Sequence, residues 1–221
     1  MSVARLVAGT TFVVALVSVA ACRTTSSPAS PAARSGPLIQ PGAPGEPSKT
    51  IDAAQAVDLS KVRFTSADVE FMQGMIGHHA QAIEMTDLLK TRTERPEMRL
   101  LAERIDISQA DEIRMMQQWL VARGQIAPEQ FAHHHEHMMM PGMLTPEQMQ
   151  RLAEAHGPEF DTLFLQGMIA HHAGALAMVA DLMKQPGAAQ ESEIFAFVSD
   201  VEADQQAEIG RMQAMLMEFA K

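Results

Sequence analysis

The sequence predicts an all-α fold: a ferritin-like four-helix bundle built from two related helical hairpins, with short helices in the connector. Three observations predict it. After Thr65 the apolar residues recur at helical rather than strand spacing. Strand formers are scarce, with no Tyr and a single Trp in 221 residues. A ten-residue segment also recurs: Phe71-Met-Gln-Gly-Met-Ile-Gly-His-His-Ala returns 93 residues later as Phe164-Leu-Gln-Gly-Met-Ile-Ala-His-His-Ala. Two hairpins bury their apolar stripes most simply against each other.

Residues 1–21 read as a lipoprotein signal peptide. Arg5 supplies a positive start, and Leu6 to Ala20 is an apolar run of export-signal length, short for a membrane span. Val19-Ala20-Ala21-Cys22 resembles a bacterial lipobox, with lipidation at Cys22, the only cysteine. The expectation is an exported protein anchored by lipid on the periplasmic or cell-surface side of a bacterial membrane. Residues 22–60, rich in Pro, Ser and Ala, have no apolar period and read as a disordered tether.

Residues 61–221 form the bundle domain. Thr65 or Ser66 caps a first helix running to about Thr91. Pro96 restarts the chain for a second helix, which Gly124 stops. A connector over 125–157 contains a piece around Pro128 to His137 and then Pro141-Gly142. In Thr145-Pro146-Glu147-Gln148 an N-cap, an N1 proline and an N3 glutamine start a short helix. The third long helix runs to about Lys184 and breaks at Pro186-Gly187. The fourth spans about Ala188 to Ala220.

On a helical wheel, Phe71, Met75, His78, Ala82, Met85 and Leu89 fall within about 40° of one line, with His79 on the flank. The third helix repeats this with Phe164, Met168, His171, Ala175, Met178 and Leu182, and with His172 on the flank. Helix two aligns Gln109, Glu112 and Met116; helix four aligns Gln205, Glu208 and Met212. Met stripes commonly fill cores, and Glu112 and Glu208 could simply pair with the histidines. An unsatisfied buried polar group nevertheless costs about 1–3 kcal/mol. Four His, two Glu and two Gln, placed alike in both halves, are a heavy polar load for a core without another role.

Met75 stands three residues before His78 and four before His79, so thioether and imidazole share one helix face. That donor set is soft to borderline and favours copper, Cu(I) above all, with zinc as the alternative ion. Glu112 and Glu208 are candidate ligands or acceptors for a ligand's N–H. A second, looser metal tract lies in the connector: His133, His134, His135, His137, Met138, Met139, Met140 and Met143.

Other functions are disfavoured. The net charge of −10 argues against nucleic acid. One cysteine excludes a disulfide scaffold and multi-cysteine zinc motifs. A di-iron carboxylate oxidase needs Glu-x-x-His, which occurs nowhere in the chain. No catalytic constellation stands out.

The doubled Met-Ile-x-His-His-x-x-Ala motif resembles the bacterial ferritin-like family catalogued as "domain of unknown function 305". So does the approach to its second copy, Gly142-Met-Leu-Thr-Pro-Glu-Gln-Met followed by Glu159-Phe160-Asp161. The similarity covers about residues 64–219. It implies a four-helix bundle, usually exported, with copper binding and copper tolerance in some members. The motif residues it carries over are Met75, His78, His79 and Met85, then Met168, His171, His172 and Met178. The family often has Pro before the His pair, where this chain has Gly77 and Ala170. The reading is therefore a lipid-anchored copper-binding protein for buffering, tolerance or delivery. The alternatives are an inert structural or interaction bundle and, further off, a metal-dependent redox enzyme. The sequence names no protein partner and is compatible with a homo-oligomer.

Overall fold

The computed structural model describes residues 38–40, 47–52, 62–129 and 139–219. The expected leader, Cys22, most of the tether and the tract residues His133, His134, His135, His137 and Met138 lie outside these. The chain divides into two units, Met1–Asp58 and Leu59–Lys221.

In the first unit, where a tether without structure is expected, the described residues form an antiparallel ribbon. Strand β1 (Leu38–Gln40) pairs with β2 (Lys49–Ile51), with Leu38 opposite Ile51. Leu38, Ile39, Thr50 and Ile51 are strand formers on either side of a Pro- and Gly-rich stretch. Strands of three residues are too short to show a period, which is why the sequence conceals them. Ile39 stays 66% exposed, so the ribbon buries little and is marginal by itself.

Among the described residues the second unit holds five helices: α1 (Ser66–Arg92), α2 (Pro96–Ala122), α3 (Pro146–Glu154), α4 (Gly157–Met183) and α5 (Ser192–Phe219). Thr65 caps α1 in a reciprocal box with Asp68, and Thr145 caps α3 in the same way with Gln148. Pro96 opens α2 at a position whose missing N–H costs nothing. Helix α5 begins four residues later than its apolar pattern suggests. Gly187 and Ala189 both take positive φ, 77° and 53°, and hold the turn open before Ser192.

Helix α2 packs on α1, α5 on α4, and the two hairpins meet where α1 faces α4. Helix α4 is long and apolar enough to cross a membrane by length and composition. Its Phe160, Phe164, Met168 and Val179 are buried in the bundle, which makes it the core helix.

The core has two apolar halves. One gathers Met75, Met116, Val179 and Phe197; the other gathers Met85, Ile105, Phe164 and Met212. In α1 the His pair falls between Met75 of the first half and Ala82 of the second. In α4 it falls between Met168 of the second and Ala175 of the first. The four imidazoles therefore form a polar layer between the two halves.

The hairpins also hold each other's turns. Asp68, at the start of α1, accepts the N–H of Ala189 in the α4–α5 turn at 2.7 Å. Asp161, 93 residues on and at the start of α4, pairs with Arg95 in the α1–α2 turn at 3.2 Å. Arg123 adds a tie from the end of α2 to Glu191 and Glu193 at the start of α5.

Candidate metal centre

Helices α1 and α4 bring the doubled motif to the centre of the bundle. Met75, His78, His79, Met85, Met168, His171 and His172 are all buried, and Met178 is half-buried. The His78 and His171 rings meet across the α1–α4 contact, with centroids 3.8 Å apart and planes tilted by 38°. His79 and His172 turn outward, each to the second helix of its own hairpin.

Every imidazole is held through Nε2. His78 Nε2–H donates to the Pro141 carbonyl at 2.9 Å, and His171 Nε2–H donates to the His78 carbonyl at 2.9 Å. His79 donates to Glu112 at 2.5 Å and His172 to Glu208 at 2.7 Å. A carbonyl or carboxylate oxygen only accepts, so the proton sits on Nε2 in each case. In the neutral ring Nδ1 then carries a free lone pair. All four Nδ1 atoms are buried and without a hydrogen-bond partner. The Oε1 atoms of Gln109 and Gln205 are buried and unpartnered as well.

Orphaned acceptors of this kind are uncommon in native interiors. An imidazole with one nitrogen fixed on a carboxylate or carbonyl and the other bare is the arrangement of a metal ligand. Burial lowers the pKa of His78 from 6.5 to about 3, with His79 adding to the effect. His171 is pushed well below its usual value by burial, then by the neighbouring imidazoles. Both remain neutral, as a metal ligand must be.

The described residues do not form a closed chelate. No three His, Asp or Glu side chains among them converge to hold an ion. Glu112 and Glu208 face the histidines as hydrogen-bond acceptors, the second of the two roles the sequence left open for them.

The connector contributes more than the sequence suggests. Gln81 accepts the Leu144 N–H at 2.7 Å and donates to its carbonyl at 2.9 Å. The chain at Pro141-Gly142 presses on α4, where a Cβ on Gly174 would overlap the Pro141 backbone. Met140 to Leu144 therefore form a strap docked over the His layer. Met139 is 54% exposed, whereas Met140 and Met143 are half-buried. The sequence marked Met140, Pro141-Gly142 and Met143 but not their docking on α4, and it did not single out Gln81. The one available signal was Gly142, at φ 78°, two residues before the Leu144-Thr145 cap.

The model of the family described as "Domain of unknown function (DUF305)" matches residues 68–216. No protein with a curated description is significantly similar to the chain. Solved structures are. A DUF305 protein from Streptomyces coelicolor is 28% identical with a TM-score of 0.61, covering 70% of this chain and 94% of that one. A DUF305 fragment from Deinococcus radiodurans is 28% identical with a TM-score of 0.61, covering 70% and 98%. CopM in its Cu(I)-bound form is 26% identical with a TM-score of 0.56, covering 70% and 98%. CopM has also been solved in Cu(II)-bound and Ag-bound forms. A match over that length, on a helical bundle with the doubled His motif at its centre, makes this chain a member of the DUF305 family.

Proposed function

We propose that the chain is an exported, lipid-anchored protein that binds copper, Cu(I) foremost, for buffering, tolerance or delivery. Four buried imidazoles held at Nε2, with Nδ1 atoms that have no hydrogen-bond partner, carry the reading. The copper- and silver-bound forms of CopM support the choice of ion. His78, His79, His171 and His172 would hold the metal together with the thioethers of Met75, Met85, Met168 and Met178. Glu112 and Glu208 would orient two of the rings. Thioethers select Cu(I) over zinc, which would compete for the imidazoles alone. The tract His133, His134, His135, His137, Met138, Met139, Met140 and Met143 would bind more loosely, since composition imposes no geometry on it. Cys22 would carry the lipid that places the protein at a membrane.

The test uses mature, untagged protein titrated with Cu(I), Cu(II) and Zn²⁺ against a competing chelator. Replacing His78, His79, His171 and His172 together by Ala should abolish tight Cu(I) binding and leave only the weak binding of the tract. Tight affinity that survives the quadruple change sinks the bundle site. A wild-type protein that retains no metal and melts at an unchanged temperature with copper present would instead establish the inert bundle.

A further inference from the structure

The two halves repeat each other in α1 and α4, but one connector crosses both and meets them with different residues. Gly74 and Gly167 are equivalent in the repeat. Each lies four residues before the first histidine of its pair, so the His78 and His171 side chains lean back over these glycines. Each glycine leaves a small hollow with two neighbours. A Cβ on Gly74 would sit 3.4 Å from Met140 Sδ and 3.7 Å from Met178 Cε. A Cβ on Gly167 would sit 3.3 Å from Met85 Cε and 3.2 Å from Leu144 Cδ2. The facing helix supplies a methionine in both places. The strap supplies a thioether to the first hollow and an isobutyl group to the second.

From this asymmetry we infer that the bundle holds one complete soft-metal site, built from His78 Nδ1, Met178 and Met140, and that its counterpart on His171 and Met85 lacks a donor because Leu144 stands there. The inference rests on the copper reading above and decides how many sites the duplication yields. One imidazole nitrogen and two thioethers form a soft donor set that suits Cu(I). The His78 ring is tethered near the strap: its Nε2–H bonds to the carbonyl of Pro141, the residue after Met140, and its Nδ1 is left without a partner. Met178 presents its methyl, and its flexible thioether needs only a rotamer change to turn the sulfur inward. Access differs in the same sense. Met140 and Met178 are half-buried and reachable, whereas Met85 is fully buried and Leu144 is 7% exposed.

The experiment compares wild type, Met140→Leu and Leu144→Met, each with His133, His134, His135 and His137 replaced by Ala so that the tract does not compete. Leu and Met are close in volume, so both variants should fold; apo melting curves check this. Cu(I) is titrated against a chelator strong enough to mask weak sites. Wild type should retain one Cu(I) per chain, and X-ray absorption should show two sulfur neighbours. Met140→Leu should weaken that site by at least the roughly 10–100-fold that loss of a ligand's supporting contact costs elsewhere. Its bound copper should show a single sulfur. Leu144→Met should gain a second retained Cu(I). Wild-type affinity and two sulfurs in Met140→Leu, or no gain in Leu144→Met, would overturn the inference while leaving the copper reading intact. Tight binding that persists when His78, His79, His171 and His172 are all Ala would instead remove the bundle copper site on which the inference rests.

Discussion

Two imidazoles anchored at Nε2 and without a partner at Nδ1, His78 and His171, set how the protein responds to acid. From the sequence alone, metal affinity is expected to decline below about pH 6.5, the ordinary imidazole value. Burial changes this for the inner pair. His78 titrates at about 3 in the folded chain but at 6.5 when unfolded, and His171 is shifted the same way. Between those values the unfolded chain binds more protons, so folding stability rises with pH across the window. The metal-free protein should be fully stable above pH 6.5 and lose stability progressively as pH falls toward 3. Thermal melts of the apo protein at half-unit pH steps check this, and replacing His78 and His171 by Gln should flatten the profile. The histidines themselves were legible because they recur on matching faces of a repeated helix. Their protonation was not. It depends on Pro141, 63 residues from His78, and on Glu112 and Glu208, which a wheel places on the right face without saying which histidine each one meets.

Among the elements, the helices whose caps are spelled out locally could be read closely. Thr65, Pro96 and Thr145 mark starts that the backbone obeys. The start of α5 and the strap could not, because tertiary contacts fix both. Asp68 reaches across to the α4–α5 turn, and Gln81 fastens Leu144 from the facing helix. The close approach at Gly174 makes the strap testable. Gly174→Ala would drive a methyl into the Pro141 backbone, lift the strap and take the acceptor from His78. A destabilisation of about 1–3 kcal/mol is expected from such overpacking. Faster amide exchange at Leu144, whose N–H is held by Gln81, would mark the strap as the part released. A variant with unchanged exchange at Leu144 would mean the strap is not held by this contact.

For the whole molecule, the two hairpins are joined by their apolar halves and by the ties at their turns. Asp68→Ala would leave the buried Ala189 N–H without an acceptor and remove the carboxylate half of the α1 capping box, which accepts the Thr65 N–H, while the Thr65 side-chain cap stays. An orphaned buried donor costs about 1–3 kcal/mol. Denaturant unfolding should show that loss as a lower midpoint at constant slope. The paired aspartates could have been found in the sequence, because Asp68 and Asp161 keep the same 93-residue spacing as the histidines. Their role could not, because it belongs to an interface between halves that no single helix reveals.

The crossed grip of those aspartates has a consequence for the symmetry of the chain. Asp68 of the first hairpin touches the turn of the second, and Asp161 of the second touches the turn of the first. Position i meeting j while j meets i is the signature of a two-fold homodimer interface. The molecule has the layout of two related hairpins in a reciprocal, dimer-like contact within a single polypeptide. A single strap cannot treat two such halves alike: it sets Met140 beside Gly74 and Leu144 beside Gly167.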